Sequence, residues 1–334
     1  MKLCIIKLGA MGDVIRTTPV LQVLKQKHQE AEITWITAPE CKEILENNPN
    51  IKQILTIPVE QEISDFDILY NFDIEQQATN LALKIKATKK LGFYNNEGFP
   101  ACFNLGAEYY LNTVFDDELK KSNTKTYQQM MFDLAELKYN QEKCQLFLTE
   151  KDNQYAQEFV NQNNINTQNL IGIHIGSSPR WPSKAWHLEK VKQFIIKAKQ
   201  QGNNILLFGG PNEKKKLPKL IEELKQQNIT VYQNNPDNTF KQFASLVNLC
   251  NHIISGDTLA LHTALALNKS TTALFFCNSP YEIEGYGTLS KLISPLLPQF
   301  FPEKSDQYDE SLVSSISVEQ VLETVSNIKG NNAS

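Results

Sequence analysis

Short runs of apolar residues alternate with stretches of helical periodicity along most of the chain. In the first half these runs are short and continuous, which is typical of buried strands in a parallel sheet. They are KLCIIKL, EITWIT, IKQILTI and FDILYNF. Between the first two runs, apolar positions near one face predict a helix over residues 14–27, and Pro19 is a residue at which a second helix could begin.

The alternation weakens between residues 100 and 145, where the pattern predicts only a helix around residues 127–137. Beyond this region it resumes with five strand candidates, each followed by a turn and a helical stretch. They are LIGIHIG, NILLFGG, ITVYQ, HIISGD and TTALFF. The segment SISVEQVLETVSNI then predicts a final helix, with Ser317 and Gln320 spaced as a capping box.

Two series of strand–helix units separated by an ambiguous middle predict an α/β protein with two doubly wound, Rossmann-like domains. The length of 334 residues is too great for one ordinary core and suits two domains. We place the predicted domains at residues 1–155 and 156–312. Residues 313–334 form a separate C-terminal helical segment in this division.

Composition narrows the class of protein. Hydrophobic residues make up 41% and charged residues 21% of the chain, as in soluble globular proteins, and the net charge of −4 disfavours a dedicated nucleic-acid binder. No apolar run approaches the ~20 residues that span a bilayer, and Lys7 and Asp13 interrupt the segment where a signal peptide would lie. Six scattered cysteines without a CxxC pair predict the reduced thiols of a cytoplasmic protein.

Two glycine–aspartate corners follow predicted strands, one in each half. The first is LGAMGD, which contains Asp13, and the second is ISGDTLALH, which contains Asp257. Ligands of open parallel sheets bind beyond the carboxyl ends of the strands, where a helix start presents unpaired N–H groups and a positive dipole end. Each corner is therefore a candidate site for an anion such as a phosphate, held without a metal.

The first corner reads GxxGD and lacks the GxGxxG pattern, which disfavours a nicotinamide enzyme. A carboxylate at this place would repel a phosphate. Asp13 is therefore a candidate base for a hydroxyl group that is to be deprotonated. Spacing alone leaves a second reading equally open, in which Asp13 only caps the helix that follows.

Three further stretches add candidate donor contacts. In GSSPRWPSKAW, Ser177 and Ser178 could donate to phosphate oxygens, and Arg180 or Lys184 could neutralise a leaving diphosphate; a solvated polar loop is the alternative. In LLFGGPNE, Glu213 could bind ribose hydroxyls or simply be an acid at a helix start. His262 follows Asp257 by about one helical turn and could reach a phosphate or cap the loop.

Together these stretches resemble glycosyltransferase family 9, the heptosyltransferases of lipopolysaccharide core assembly. The resemblance rests on four motifs in order and spans nearly the whole chain. The segments are IIKLGAMGDVIRTTPVLQVLKQKHQEAEITWIT, IGIHIGSSPRWPSKAWHLEKVKQFI, ILLFGGPNE and IISGDTLALHTALALNKSTTALF. Lys184 and Trp186 stand at the positions of the family's Lys-x-Trp segment.

The resemblance implies a GT-B architecture, with two Rossmann-like domains facing across a cleft. It implies that a sugar is transferred with inversion of configuration and without a metal or cofactor. The donor would be a nucleotide-sugar, and ADP-heptose is the leading candidate among the family's donors. Asp13 would be the general base, Lys184 would sit on the diphosphate and Glu213 would bind the adenosine ribose. The other donor contacts carried over by position are Asp257 on the transferred sugar, Thr258 with the backbone at Leu259 and Ala260, His262 on the diphosphate, and Ser177. The final helix would pack back on the N-terminal domain.

One departure from the family pattern concerns Leu259, because the family usually has glycine after the Asp-Thr pair. If that position needs a positive φ angle, a leucine there would be strained by ~1–2 kcal/mol. If only a close backbone approach is needed, the leucine is tolerated. The departure leaves the predicted fold unchanged and bears on the geometry of phosphate binding.

The family's acceptors are phosphorylated lipid A–Kdo or its extended core at the cytoplasmic face of the inner membrane. The resemblance therefore implies a monomeric protein lying peripherally on that membrane. Anionic acceptors would favour lysines, and the candidates are Lys84, Lys86, Lys89, Lys90, Lys120 and Lys121. A solvated face is the alternative reading of these clusters. Tyr94 and Phe99 in GFYNNEGFPACF could contact the acceptor or belong to the core.

Three rival hypotheses remain. The run DFD at residues 65–67 formally matches the DxD of metal-dependent GT-A transferases, although its apolar neighbours predict the start of a buried strand. The chain could use a different sugar or acceptor within the family. It could also be a non-catalytic nucleotide-sugar-binding protein, which the Leu259 departure favours and the presence of Asp13 and Lys184 opposes.

Overall fold

The computed structural model describes residues 1–59 and 65–331, which form two compact α/β units. The first unit comprises Met1–Phe147 and Tyr281–Glu284, and the second comprises Leu148–Pro280 and Gly285–Ser334. The first unit therefore ends before the predicted boundary at residue 155. The helix that begins at Glu150 belongs to the second unit, because Ala156 is buried in its core.

The first unit has a six-stranded sheet. Its strands are β1 Lys2–Ile6, β2 Glu32–Thr37, β3 Gln53–Thr56, β4 Phe66–Asn71, β5 Ala87–Asn96 and β6 Phe99–Cys102. The strand order is β3-β2-β1-β4-β5-β6, and all neighbours are parallel except the hairpin of β5 and β6. The order reverses between β1 and β4, and this is the point at which ligands bind in sheets of this topology.

Helices and core complete the first unit. The helices are α1 Met11–Thr17, α2 Pro19–Lys27, α3 Lys42–Leu45, α4 Gln76–Lys84, α5 Glu108–Phe115, α6 Asp117–Ser122 and α7 Tyr127–Leu134. The apolar residues of β1 and β2 are buried, as their continuous hydrophobic runs predicted. Two short 3-10 segments, Pro39–Cys41 and Leu105–Ala107, join these elements.

The predicted helix over residues 14–27 consists of two helices. It begins earlier, at Met11, and it divides at Thr18, so that Pro19 occupies the first position of α2. Proline is suited to this position because its missing N–H would have no helical partner there. The suggested second start is thus confirmed.

The second unit repeats the same sheet plan. Its strands are β7 Leu170–His174, β8 Asn204–Phe208, β9 Tyr232–Gln233, β10 His252–Gly256, β11 Ser270–Phe275 and β12 Leu289–Ile293. They are all parallel in the order β12-β11-β10-β7-β8-β9, so that the order reverses between β7 and β10. The two predicted Rossmann-like domains are confirmed.

Helices cover the second sheet. They are α8 Glu150–Asn163, α9 Leu188–Gln200, α10 Lys216–Lys225, α11 Phe240–Leu249, α12 Leu259–Ala266, α13 Leu297–Phe300, α14 Glu310–Val313 and α15 Val318–Asn331. The 3-10 segments Pro182–Lys184 and Pro211–Glu213 lie at the carboxyl side of β7 and β8. Within the described residues, no helix combines the length and apolarity needed to cross a membrane.

The final helix α15 contributes to the core of the second unit. Its residues Val321 and Val325 are buried in the core of the second unit, in one cluster with Val191 and Phe194 of α9. The predicted capping box is present, since Gln320 N–H donates to Ser317 Oγ at 3.2 Å and Ser317 N–H donates to Gln320 Oε1 at 2.8 Å. Apolar residues on one face of α15 thus decide its place in the fold.

Candidate functional site

The strand-order reversal of the first unit carries a buried ion pair. Lys7 directly follows β1 and Asp73 follows β4, and their charged atoms lie 3.5 Å apart. Both residues are almost fully buried. Burial alone would lower the pKa of Lys7, but the carboxylates of Asp73 and Asp13 outweigh it and raise that pKa above its usual value. Lys7 is therefore held as a cation at this edge of the sheet.

Asp73 also organises the turn that leads into α1. Its Oδ2 accepts hydrogen bonds from the N–H groups of Leu8 at 3.0 Å and Gly9 at 3.4 Å. Its Oδ1 accepts from the N–H of Glu75 at 3.1 Å. A buried carboxylate that accepts several backbone N–H bonds fixes the backbone around it. The glycine corner is thus anchored to the end of β4.

Asp13 lies in the first turn of α1 without capping that helix. The N-cap residue is Ala10, which gives no side-chain cap, and Asp13 is the third helical residue. Its carboxylate forms an ion pair with Arg16, and the Asp13 side chain is 29% exposed. Asp13 is therefore not the N-cap residue of α1, although it is an acid in the first turn of that helix. The partly exposed carboxylate lies where a ligand of this sheet would bind.

The second unit has its own charged cluster at the corresponding reversal between β7 and β10. Lys184 Nζ donates to Asp257 Oδ2 at 2.8 Å, and Asn278 Nδ2 donates to the same oxygen at 2.7 Å. His262 Nε2 lies 3.1 Å from Asp257 Oδ1. Predicted site residues from the β7 loop and from α12 are thus brought together on one carboxylate, and Asn278, which follows β11, joins them.

The close approach of Lys184 to β10 depends on a glycine. A Cβ atom built on Gly256 would lie 1.8 Å from the backbone oxygen of Lys184. Real Cβ contacts are never this short, so that only glycine lets the Lys184 segment pass over the end of β10. The glycine of the GD corner therefore positions the lysine, while the following aspartate binds it.

Thr258 connects this corner to the end of β7. Its hydroxyl lies 3.2 Å from His174 Nδ1 and 2.9 Å from Ser255 Oγ. Burial lowers the pKa of His174 to about 4, so that the ring is neutral at physiological pH. A neutral ring can accept or donate one hydrogen bond at this nitrogen, depending on its tautomer.

Leu259 is the first residue of α12 and has no positive φ angle. The strain that the missing family glycine could have caused is therefore absent. Ala260 follows as the second helical residue and is buried. Only backbone N–H groups of this pair can serve a ligand, since the first N–H groups of a helix have no intrahelical partner.

Glu213 is buried at the end of the segment that follows β8. Its Oε2 accepts the N–H of Gly210 at 3.0 Å. A Cβ atom at Gly176 would lie 2.6 Å from this carboxylate, so that Gly176 and Glu213 are packed directly together. Glu213 thus connects the segments that follow β7 and β8. Its exposed fraction is only 4%.

The serines of the β7 loop serve the loop itself. The Ser177 hydroxyl donates to the backbone oxygen of Pro182 at 3.2 Å. Ser178 is exposed, and its Oγ accepts the N–H of Arg180 at 3.2 Å. The ring of Trp181 lies beneath two cations, 5.1 Å from the Arg180 guanidinium and 5.8 Å from Lys184 Nζ.

Four of the predicted acceptor lysines lie on or beside α4 and β5. Lys84 ends α4 and Lys86 directly precedes β5, so that both lie at the amino edge of a parallel sheet, opposite the edge that carries Asp13. Lys89 is paired with Glu136. Lys90 donates to the backbone oxygens of α4 at 2.8 and 3.1 Å. Local pairing and strand direction, which the lysine spacing does not reveal, thus distinguish these four lysines from the other two candidates.

The other two acceptor lysines, Lys120 and Lys121, lie on α6, where Lys121 is paired with Glu118. The GFYNNEGFPACF segment is the β5–β6 hairpin. It extends beyond the point where Gly92 pairs with the end of β4, and thus passes the carboxyl edge of the sheet. Tyr94 stacks on Phe103 within it, whereas Phe99 is 76% exposed.

The DxD-like run marks the start of β4, as its apolar neighbours predicted, and Asp67 accepts the Lys2 N–H at 2.7 Å. Within residues 1–59 and 65–331, no three His, Cys, Asp or Glu residues are grouped so as to hold a metal ion.

Sequence reasoning missed several residues that shape these clusters. Lys7 and Asp73 could have been found, because each directly follows a predicted strand at the carboxyl edge. Asn278 follows β11 in the same way. Tyr127, whose ring contacts Arg16, gives no such signal, since α7 is distant from α1 in sequence.

Comparison with known proteins agrees with this geometry. The model of glycosyltransferase family 9 (heptosyltransferase) matches residues 62–307. Lipopolysaccharide heptosyltransferase 1 of Campylobacter coli is 26% identical over 99% of both chains. A family 9 glycosyltransferase of Veillonella parvula superposes with a TM-score of 0.77 at 22% identity, covering 98% of this chain and 96% of the other. ADP-heptose LPS heptosyltransferase II of E. coli gives a TM-score of 0.73 at 16% identity over the full length of both.

The two structural neighbours share the fold, and the predicted GT-B plan of two Rossmann-like domains is thereby confirmed. The family match includes Lys184, Glu213 and Asp257 and begins beyond Asp13. Because this match covers well over half of the chain, the protein belongs to glycosyltransferase family 9 (heptosyltransferase) and is a glycosyltransferase.

Proposed function

We propose that this glycosyltransferase moves a heptose from ADP-heptose to a hydroxyl of the lipopolysaccharide inner core, lipid A–Kdo or its extension. The names of two similar proteins support the choice of substrates. The C. coli relative is named a lipopolysaccharide heptosyltransferase, and the E. coli neighbour is titled an ADP-heptose LPS heptosyltransferase. In this proposal the transfer inverts the anomeric configuration and needs no metal.

The observation that carries the proposal is the placement of complementary charged groups at the two strand-order reversals. The first unit presents a partly exposed carboxylate, Asp13, and the second presents a cation, Lys184, beside the start of α12. Glycosyl transfer from a nucleotide-sugar needs both kinds of group. A base must remove the acceptor proton, and positive charge must stabilise the diphosphate that leaves.

In the proposed reaction, Asp13 takes the proton of the acceptor hydroxyl while that oxygen attacks the anomeric carbon. The bond from this carbon to the β-phosphate oxygen breaks, and ADP leaves with the electron pair. A single displacement inverts the configuration. A positioned base of this kind contributes roughly 10²–10⁴-fold to the rate.

Lys184 would carry the charge that develops on the departing diphosphate. Lys184 could leave Asp257 for a phosphate, because Asn278 and His262 also contact that carboxylate and would stay beside it. The N–H groups at the start of α12, Thr258 included, would add donors. Asp257 would then contact the sugar, and Glu213 the ribose.

The proposed acceptor surface is narrower than the lysine spacing suggested. Lys120 and Lys121 on α6 remain candidates for anionic groups, and exposed Phe99 on the hairpin is a candidate contact for the amphiphilic acceptor. We further propose that the protein works as a monomer, peripherally at the cytoplasmic face of the inner membrane.

Mass spectrometry of core oligosaccharide from cells lacking this chain tests the substrates directly. The expected result is a core shortened at a heptose, restored by purified protein with ADP-heptose and that truncated acceptor. If the core lacks a different sugar, ADP-heptose is not the donor, and the nucleotide form of the missing sugar takes its place in the proposal. If an unchanged core is found together with calorimetric donor binding and no transfer, the protein is a non-catalytic binder of nucleotide-sugars.

A further inference from the structure

We infer that Arg16 is a positioning residue, which holds the Asp13 carboxylate in its reactive orientation and is itself held by the ring of Tyr127. The inference rests on the proposed role of Asp13 as the base. It assigns a task to Arg16, which precedes the match to the family model at residues 62–307, and to Tyr127, which lies within that match.

The contact between the two charged groups is direct. Arg16 lies three residues after Asp13 on α1, and its Nη2 donates to Asp13 Oδ1 at 2.5 Å. Hydrogen bonds in which both partners are charged are short and strong. The Arg16 side chain is only 13% exposed, so that water competes little for this contact.

Arg16 is fixed from its other side by an aromatic ring. The centre of its guanidinium lies 4.1 Å from the centroid of the Tyr127 ring, and Tyr127 is 1% exposed. Arginine can stack on a ring while its N–H groups remain available to a carboxylate. Tyr127 therefore limits the rotamers of Arg16, and Arg16 in turn limits those of Asp13.

A second connection runs through hydroxyl groups. The Thr17 hydroxyl donates to the backbone oxygen of Asp13 at 2.7 Å and lies 3.0 Å from the Tyr127 hydroxyl. Because a hydroxyl has one hydrogen to donate, Tyr127 must be the donor to Thr17. Burial raises the pKa of Tyr127, so that it keeps this proton. One buried tyrosine thus holds both the backbone and, through Arg16, the side chain of Asp13.

The neighbouring ionisable groups do not duplicate this arrangement. Lys7 also feels the charge of Asp13, but its ammonium lies 3.5 Å from Asp73 Oδ2. Tyr110 packs edge-on against Tyr127, with ring centroids 5.9 Å apart, and is held protonated by burial, which raises its pKa. Arg16 is in direct hydrogen-bond contact with Asp13, and lysine in its place could not stack and donate in the same way.

A double-mutant cycle in single-turnover transfer assays tests the inference. The proteins are the wild type, Asp13→Asn, Arg16→Gln and the double variant, with Arg16→Lys and Tyr127→Leu as second disruptions. Lys125→Ala is the matched control, because Lys125 also lies over a tyrosine ring, 4.4 Å from the centroid of Tyr109, and pairs with Asp133. Circular dichroism and the unfolding midpoint report whether each variant is folded.

If Arg16 acts through Asp13, Arg16→Gln lowers the transfer rate on the order of 10²-fold with an unchanged KM for the donor, as misplaced catalytic groups do. Arg16→Lys restores little, and Tyr127→Leu lowers the rate in the same direction. In the Asp13→Asn background, Arg16→Gln lowers the transfer rate no further. Lys125→Ala leaves the rate unchanged.

Two results would overturn the inference while leaving the base intact. The first is a folded Arg16→Gln protein with the wild-type rate although Asp13→Asn is inactive. The second is an Arg16→Gln loss that is equal in both backgrounds, which would make Arg16 an independent substrate contact. An active Asp13→Asn protein would instead refute the proposed function itself, so that the two failures are distinguishable.

Discussion

Lys184 and Asp257 form a partly buried ion pair, 2.8 Å between Nζ and Oδ2, although 73 residues separate them in sequence. The loop after β7 brings the lysine and the end of β10 brings the acid, at the point where the strand order of the second sheet reverses. A lysine in contact with one carboxylate, beside the start of a helix, is well placed to exchange that carboxylate for a phosphate.

Removal of the Lys184 ammonium should impair both donor binding and transfer. Lys184→Met keeps most of the side-chain length and loses the charge, leaving Asp257 without its cation. We expect a higher dissociation constant for the donor and a kcat lower by about 10²-fold, the usual effect of one lost oxyanion donor. Calorimetry and steady-state rates measure the two quantities. Arg180→Met is the control, because Arg180 is exposed on the same loop; equal effects of both variants would exclude a specific role for Lys184.

Two neighbouring glycines allow a matched test of Glu213. Gly176→Ala places a methyl group 2.6 Å from the Glu213 carboxylate and must displace it, whereas Gly210→Ala meets the same carboxylate at 3.8 Å, an ordinary contact. We expect Gly176→Ala to weaken ADP binding by calorimetry and Gly210→Ala to leave it nearly unchanged. If ADP binds both variants equally well, Glu213 does not contribute to the ribose site.

The partly buried His174 should make the protein less stable in acid. Its pKa is about 4 in the folded protein and about 6.5 in an unfolded chain, so that the unfolded state binds more protons between these values. The free energy of unfolding therefore falls as the pH decreases from 6.5 to 4. His174→Asn keeps a polar partner for Thr258 and removes this titration.

Urea unfolding of both proteins at pH values from 4 to 7.5 measures the effect of His174. We expect the two stability curves to run parallel above pH 6.5 and to converge below it, because only the wild type loses stability through this histidine. Curves that stay parallel down to pH 4 would show that His174 does not have a lowered pKa.

Chelation tests whether a metal takes part. The proposal assigns the charge of the leaving diphosphate to Lys184 and the α12 N–H groups, so that transfer should continue at its full rate after dialysis against EDTA. The measurement is the initial rate before and after dialysis. A loss of activity that is restored by one added divalent metal would contradict the proposal and favour a metal-assisted reaction.

Much of the fold was predictable because the strands of parallel sheets are short and continuously apolar. β1, β4, β7 and β10 were all recognised in this way. The hairpin of β5 and β6 was missed, since its lysines, asparagines and prolines do not produce a buried pattern. The burial of Val321 and Val325 of α15 in the core of the second unit was not predicted, because an apolar helix face does not reveal which core it will join.

The candidate site was predictable only where residues follow strands directly. Asp13, Lys184 and Asp257 lie in the segments that follow β1, β7 and β10 at the carboxyl edges of the sheets, and the rule for open sheets points to these segments. The lysine clusters gave no such position, since charge spacing does not show at which edge of the sheet Lys84 or Lys86 lies. Arg16 required the Tyr127 contact, which joins elements far apart in sequence.

The central claim is that the Asp13 carboxylate removes the acceptor proton. The most direct measurement compares sugar transfer and donor binding in Asp13→Asn, which preserves the shape of the side chain and removes its charge. The predicted result is a rate that falls by roughly 10²–10⁴-fold, the contribution of a general base, with an unchanged dissociation constant for the donor. A variant that transfers sugar at nearly the wild-type rate would contradict the claim.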